Sequence, residues 1–387
     1  MELSAEDALR INVLLAGQLE AVRIDESSMT LYALSDRGEA RVRLNANCRD
    51  EVYLRGVREI LSSHVLGSPG GYPVYLKRWT RMGQARDGIL ESLLLLGEPE
   101  AVVAVVNASG INNEIARRAW WALQTPENAR CMLRQQAVVE GDMGPVLAEF
   151  LVEFLPFEEQ ARDMIDSVRL VLQKDLVSDA TRRKIWEKGK YKNACYVGFL
   201  QTTPEDLPEH QPPHTAWKEA CEALAGLCEE GNTYALQLCR LLGAPGQAFL
   251  ATLSVVLRKP SNQDVVVALL HAIAAYFRTT RFTAGRYEYM DDIHGAVDAL
   301  MANGCAADSA LGAVLGKAPN LESQLRAMLM LSLLDEPVVN PVFSRTDAIG
   351  SVMRRKLKPV SDIIMQQIDI LGNQRMLPDQ CNTPSEP

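Results

Sequence analysis

The chain has 387 residues, 47% hydrophobic and 23% charged, enough apolar content for two compact domains or one extended helical array. A formal net charge of -9 excludes a surface built throughout to hold nucleic acid or anionic lipid and leaves room only for a local basic patch. The eight cysteines, at 48, 131, 195, 221, 228, 239, 305 and 381, include no C-x-x-C pair, so they are expected to be reduced thiols, several packed as small apolar residues.

The opening M-E-L-S-A-E-D-A-L-R-I has no basic stretch leading into an apolar one, so no secretory signal is expected. Ser4 followed by Asp7 instead reads as a helix start, running through Leu14. From 21 to 45 the apolar residues alternate: Val22 and Ile24, then Met29, Leu31 and Ala33, then Ala40, Val42 and Leu44. Period two predicts strands, and the turn chemistry at 25–28 and 35–38 predicts a three-stranded antiparallel meander. Helical spacing returns over 50–65 through Val52, Val57, Ile60 and Leu61, so residues 1–66 are expected to form a small α/β piece.

Beyond residue 73 nearly every segment repeats at 3.6. Examples are 89–96, 99–106, 113–123, 126–133, 145–154 and 161–173, separated by short breaks of Gly, Asn, Pro or Thr-Pro. Gly97-Glu98-Pro99-Glu100 and Gln124-Thr125-Pro126-Glu127 each place Pro at the first helical position with an acidic residue beside the positive helix end. Short helices on short turns predict a mainly α fold, a helical-repeat-like (HEAT-like) αα array over 67–201. The stretch T-T-P-E-D-L-P-E-H-Q-P-P-H-T at 202–215 has four prolines and little apolar bulk, and is expected to be a linker and domain boundary. A second array, 216–372, is predicted from helices at 216–228, 234–242, 248–257, 263–277, 293–301, 310–315, 321–334, 346–356 and 360–371. Residues 373–387 read as a tail. The longest apolar run, 265–277, contains His271 and is shorter than the roughly 20 residues a spanning helix needs. No membrane insertion and a cytoplasmic location are therefore expected.

Several groups invite a chemical reading. The segment S-P-G-G-Y-P-V-Y-L-K-R-W-T-R-M-G at 68–83 gathers glycine, aromatics and cations, but it lacks the lysine a phosphate-binding loop needs, and Pro69 removes a donor. It reads as a turn and helix start with a basic face. Tyr75, Lys77, Arg78, Arg81 and Arg86 are its candidate contacts to a partner protein or, by phosphate pairing and base stacking, to RNA. Cys195 follows Lys188, Lys190 and Lys192, which would depress its pKa if it were exposed, and Cys381 lies in the tail; these are the candidate reactive thiols. Cys221, Cys228 and Cys239 recur at intervals that return to one helix face, but Gly231-Asn232 interrupts the helix, the short paired spacing of zinc ligands is missing, and the leucine neighbours favour ordinary core cysteines. His210 and His214 flank helix-breaking Gln-Pro-Pro, so they read as linker residues. Glu288, Asp291, Asp292 and His294 read as a helix start, and His64 has no nucleophile beside it. No catalytic dyad or triad, nucleotide fingerprint or metal box emerges, so neither catalysis, cofactor nor metal is expected.

Residues 3–16 (L-S-A-E-D-A-L-R-I-N-V-L-L-A), the segment 65–84, and the pair 94–103 with 116–123 resemble the DsrS family of sulfur reduction proteins, over roughly the N-terminal 200 residues. The resemblance implies a soluble cytoplasmic protein encoded with the reverse-acting dissimilatory sulfite reductase system of sulfur-oxidising bacteria. It implies an accessory or regulatory role with a pathway protein as partner, and assigns no residue a role. A cysteine-based sulfur carrier and an RNA-binding regulator are the alternatives that follow from that setting and from the thiols and basic segment.

Overall fold

The computed structural model describes residues 3–67, 87–304, 309–345 and 348–373. The fold is mainly α, with a small three-stranded sheet near the N-terminus. Two compact units divide the chain: Met1–Pro156 with Gln173–Val177, and Phe157–Leu172 with Ser178–Pro387.

The first unit opens with α1 (Ala5–Leu15), whose N-cap Ser4 accepts from the Asp7 amide. Ile11 and Leu15, one turn apart, are buried on one face. Strands β1 (Leu19–Asp25), β2 (Thr30–Ser35) and β3 (Gly38–Arg43) pair antiparallel in sequence order, with Val22 opposite Ala33 and Leu31 opposite Val42. The first turn is held by the Asp25 carboxylate, which accepts from the Ser27 amide at 3.0 Å and from the Ser27 and Ser28 hydroxyls at 2.6 Å each. One sheet face packs Val22, Leu31 and Ala33 against Ile11 of α1 and Tyr53, Val57 and Leu61 of α2 (Asp50–Leu66). Buried Asp7 ties these elements together, accepting from the Tyr53 hydroxyl at 2.5 Å and the Asn45 amide at 2.7 Å.

α3 (Asp87–Leu93) leads to Leu94, whose carbonyl accepts from Val22 of β1 at 2.8 Å. Gly97 adopts φ +66, and a Cβ there would press on Leu61 and Ile24, so a side chain would be both strained and crowded. α4 (Pro99–Val106), α5 (Asn113–Ala122), α6 (Pro126–Met132), α7 (Gln136–Val139) and α8 (Met143–Phe154) follow. The expected helix starts hold: Pro99 and Pro126 begin their helices, and Thr125 caps α6 by accepting from Asn128.

The second unit comprises α9 (Ala161–Val171), α10 (Asp179–Lys188), α11 (Ala194–Thr202), α12 (Trp217–Glu229), α13 (Thr233–Leu242), α14 (Ala244–Arg258), α15 (Gln263–Tyr276), α16 (Met290–Gly304), α17 (Ala310–Lys317), α18 (Glu322–Ser332), α19 (Asn340–Phe343) and α20 (Gly350–Leu371). α18 is central: Leu325 and every residue from Ala327 to Ser332 are buried, among α13, α15, α16 and α20. α11 is buried from Ala194 to Leu200 and lies against α9, α14 and α15. Gly198 permits the approach to α9, since a Cβ there would come within 2.6 Å of Val168.

Three features depart from the sequence expectations. α10 and α11 are helices that the periodicity did not single out. The predicted helices 346–356 and 360–371 are one helix, α20, running through Pro359. The proline-rich stretch 202–215 lies inside the second unit, where the chain does not divide; the division falls instead near 157 and around 173–177.

Candidate functional site: a cleft under a proline-rich strap

The second unit holds a solvent-open cleft of about 1320 Å³. It is lined by Val255 and Arg258, both exposed on α14, by the aromatic pair Trp186 and Tyr196, ring centroids 4.5 Å apart, and by Ile368, Asp369 and Ile370 in the last turn of α20. The segment 209–215, which we call the strap, also lines it.

Proline removes helical structure from this stretch, but other residues fix its path. Leu207, just upstream, is buried. Upstream, Asp206 takes Arg182 at 2.7 Å, and Glu205 accepts from Arg240 Nε at 2.6 Å. The Arg240 guanidinium sits 4.0 Å above the Tyr276 ring, which stacks on Phe249 at 3.8 Å, so the ion pair is anchored on a buried aromatic platform. Downstream, the His214 amide donates to the Leu242 carbonyl at 2.8 Å. Burial lowers the His214 pKa, favouring the neutral ring, whose Nδ1 accepts from the Ala216 amide at 3.1 Å.

The far end of the strap is joined to the end of α20 by a small polar knot. Asn373 donates to the Pro213 carbonyl at 3.0 Å, and its side-chain oxygen takes the Thr215 amide at 3.3 Å. Its own amide donates to Gln247, fully buried on α14. The Gln247 amide group in turn donates to the Leu371 and Leu241 carbonyls, satisfying the last turns of α20 and α13 at once. The cleft lining thus combines a chain segment tied at both ends, an aromatic pair and a cationic side chain, Arg258. Such a surface can hold an extended chain by backbone contacts and apolar packing.

The predicted site residues fare unevenly. Tyr75, Lys77, Arg78, Arg81, Arg86 and Cys381 lie outside the described residues. Cys195 does not have the exposed, electropositive setting expected of a reactive thiol: it is 1% exposed on α11, and burial pushes its pKa up to about 11 despite Lys188 and Lys192. Cys221, Cys228 and Cys239 are only half-buried, not core cysteines, and the Cys228 and Cys239 sulfurs lie 3.9 Å apart. His210 and His214 belong to the strap. His294 Nδ1 pairs with the Met290 carbonyl at 3.0 Å within the first turn of α16. Among the described residues, no group of three or more His, Cys, Asp or Glu side chains is placed to hold a metal ion. No single described helix is long and apolar enough to cross a membrane; α13 and α14, which together would be, bend by 73° at their junction.

Sequence reasoning missed the cleft because its parts are far apart in the chain. The only local signal was Leu207, one apolar residue amid prolines and charges. Asn373 and Gln247 carry no pattern that could be read without the fold. Comparison with protein-family models, curated proteins and solved structures finds no match to this chain.

Proposed function

We propose that this protein is a non-enzymatic cytoplasmic accessory or regulatory protein of oxidative sulfur metabolism, acting with the dissimilatory sulfite reductase system by capturing a protein partner. The observation that carries the binding half of this reading is the strapped cleft. Its volume of about 1320 Å³ exceeds the roughly 300–1,000 Å³ of small-molecule pockets, and its open, partly apolar form suits a polypeptide segment. The sulfur setting rests on the resemblance of the N-terminal segments to the DsrS family.

The test is a crosslinked pull-down from cells grown on reduced sulfur, half of the lysate treated with RNase, using the natural chain and a double variant, Val255→Arg with Arg258→Glu. Both positions are exposed, so the variant should melt within a few degrees of the parent. Sulfur-pathway proteins retained by the natural chain in both halves and lost by the variant support the proposal. Equal capture by the variant overturns the cleft as the binding surface. Partners lost only with RNase favour an RNA regulator acting through the basic residues of 74–86.

A further inference from the structure

Cys228 lies in the last turn of α12 and Cys239 in α13, on the two arms of a hairpin whose turn is made by Gly231 at φ +80 and the N-cap Asn232. In a helix every Cα–Cβ bond tilts toward the N-terminus. In a hairpin that tilt leans Cys239 toward the turn and Cys228 away from it, so the two side chains converge, and their sulfurs stand in van der Waals contact at 3.9 Å. Cys221, two turns earlier on α12, leans the same way as Cys228 and is a further hydrogen-bonding neighbour of the Cys239 thiol. All three are half-buried.

We propose that Cys228 and Cys239 form a redox-active dithiol that exchanges with low-molecular-weight disulfides, closing a reversible bond across the α12–α13 hairpin. The Cys228 thiolate attacks one sulfur of the external disulfide, forming a mixed disulfide and releasing one small thiolate. Cys239, after losing its proton to water, attacks the Cys228 sulfur, forms the intramolecular bond and releases the second thiolate. Two electrons leave the protein thiols and reduce one external disulfide to two thiols. Closing the bond requires the sulfurs to move from 3.9 Å to about 2 Å. Burial and the neighbouring thiols raise the Cys239 pKa, making it a poor leaving group, so reopening by attack on the Cys228 sulfur, which expels Cys239, is slowed. This chemistry is independent of what the cleft binds.

The experiment uses the full reduced chain, incubated anaerobically with glutathione disulfide and glutathione over a range of ratios, quenched with N-ethylmaleimide and mapped by non-reducing mass spectrometry. Cleavage after Glu222, Glu229 and Glu230 separates the three cysteines. The expected product links the Cys228 and Cys239 peptides, two hydrogens lighter than the free pair, and is reversed by dithiothreitol. Cys228→Ser and Cys239→Ser should each abolish the link and leave a glutathione adduct on the remaining thiol, whereas Cys221→Ser keeps it; circular dichroism confirms that each variant is folded. A link between Cys221 and Cys239, or adducts without any link in the natural chain, would overturn the assignment. So would thiols at 228 and 239 that stay fully alkylatable at ratios where half-buried Cys48 has already formed its adduct.

Discussion

Glu98 occupies the N-cap of α4, where a negative charge is ordinarily favoured by the helix dipole. Burial outweighs that benefit. With its side chain 13% exposed, desolvation pushes its pKa up from 4.5 to about 7, against the opposing pull of Arg58 at 3.9 Å and with added repulsion from Glu100. A folded-state pKa above the unfolded value means that the folded state binds more protons between about pH 4.5 and 7. Stability therefore falls as pH rises through that window, and the cost is complete above it. Glu98→Gln removes the charge and should stabilise the protein at pH 8 by about 1–3 kcal/mol. At pH 4.5 the gain should largely vanish. Thermal melts at the two pH values check this; a gain of equal size at both would show that something other than ionisation separates the variants. Nothing in the sequence marked Glu98 beyond a helix start, because its desolvation depends on how the fold buries it beside Arg58. The thiols teach the same lesson in reverse: lysines beside Cys195 in the chain suggested activation, and the fold buried the sulfur instead.

At the scale of elements, the helix boundaries that could be read were those with local chemistry. Pro99 and Pro126 each start a helix at the position their rings dictate. α10 and α11 escaped for opposite reasons. α10 buries only Ile185 and Trp186 amid charge, whereas α11 is apolar on all sides and so has no amphipathic period to detect. α20 was split in two because proline usually ends a helix, yet Met353, Leu357, Ile364, Ile368 and Leu371 keep one buried face across Pro359. Burial along that face offsets the missing N–H and the crowding of the Arg355 carbonyl, together worth about 3 kcal/mol in a helix interior. Replacing Pro359 by Ala should recover about 1–3 kcal/mol, less whatever the proline saves by stiffening the unfolded chain. Denaturant titration would show this as a higher midpoint at unchanged slope. A lower midpoint would mean instead that a bend at Pro359 is needed to seat Met353 and Ile364 together.

For the molecule as a whole, the sequence pointed to a break at 202–215, and the packing points elsewhere. Composition is a fair guide to where a chain cannot be helical, but a domain boundary is set by which side chains share a core. Phe199 and Leu200, just before the strap, are buried on α11, which packs against α14 and α15 beyond it, where Phe249, Leu253, Val266 and Leu270 are buried as well. Each fully buried side chain of this size is worth about 1.5–3 kcal/mol, so the two sides of the strap are held together by far more than the peptide that joins them. A specific protease site inserted between Glu209 and His210, both exposed, should accordingly be cut without separating the molecule. The two fragments should elute as one species in gel filtration at neutral pH and come apart only in denaturant. Elution as two folded pieces would restore the boundary that the prolines suggest. Partner capture is the sharper readout: a cut strap is no longer anchored from both sides, so the nicked protein should lose its partner while keeping its fold, and undiminished capture would place the binding surface outside the cleft.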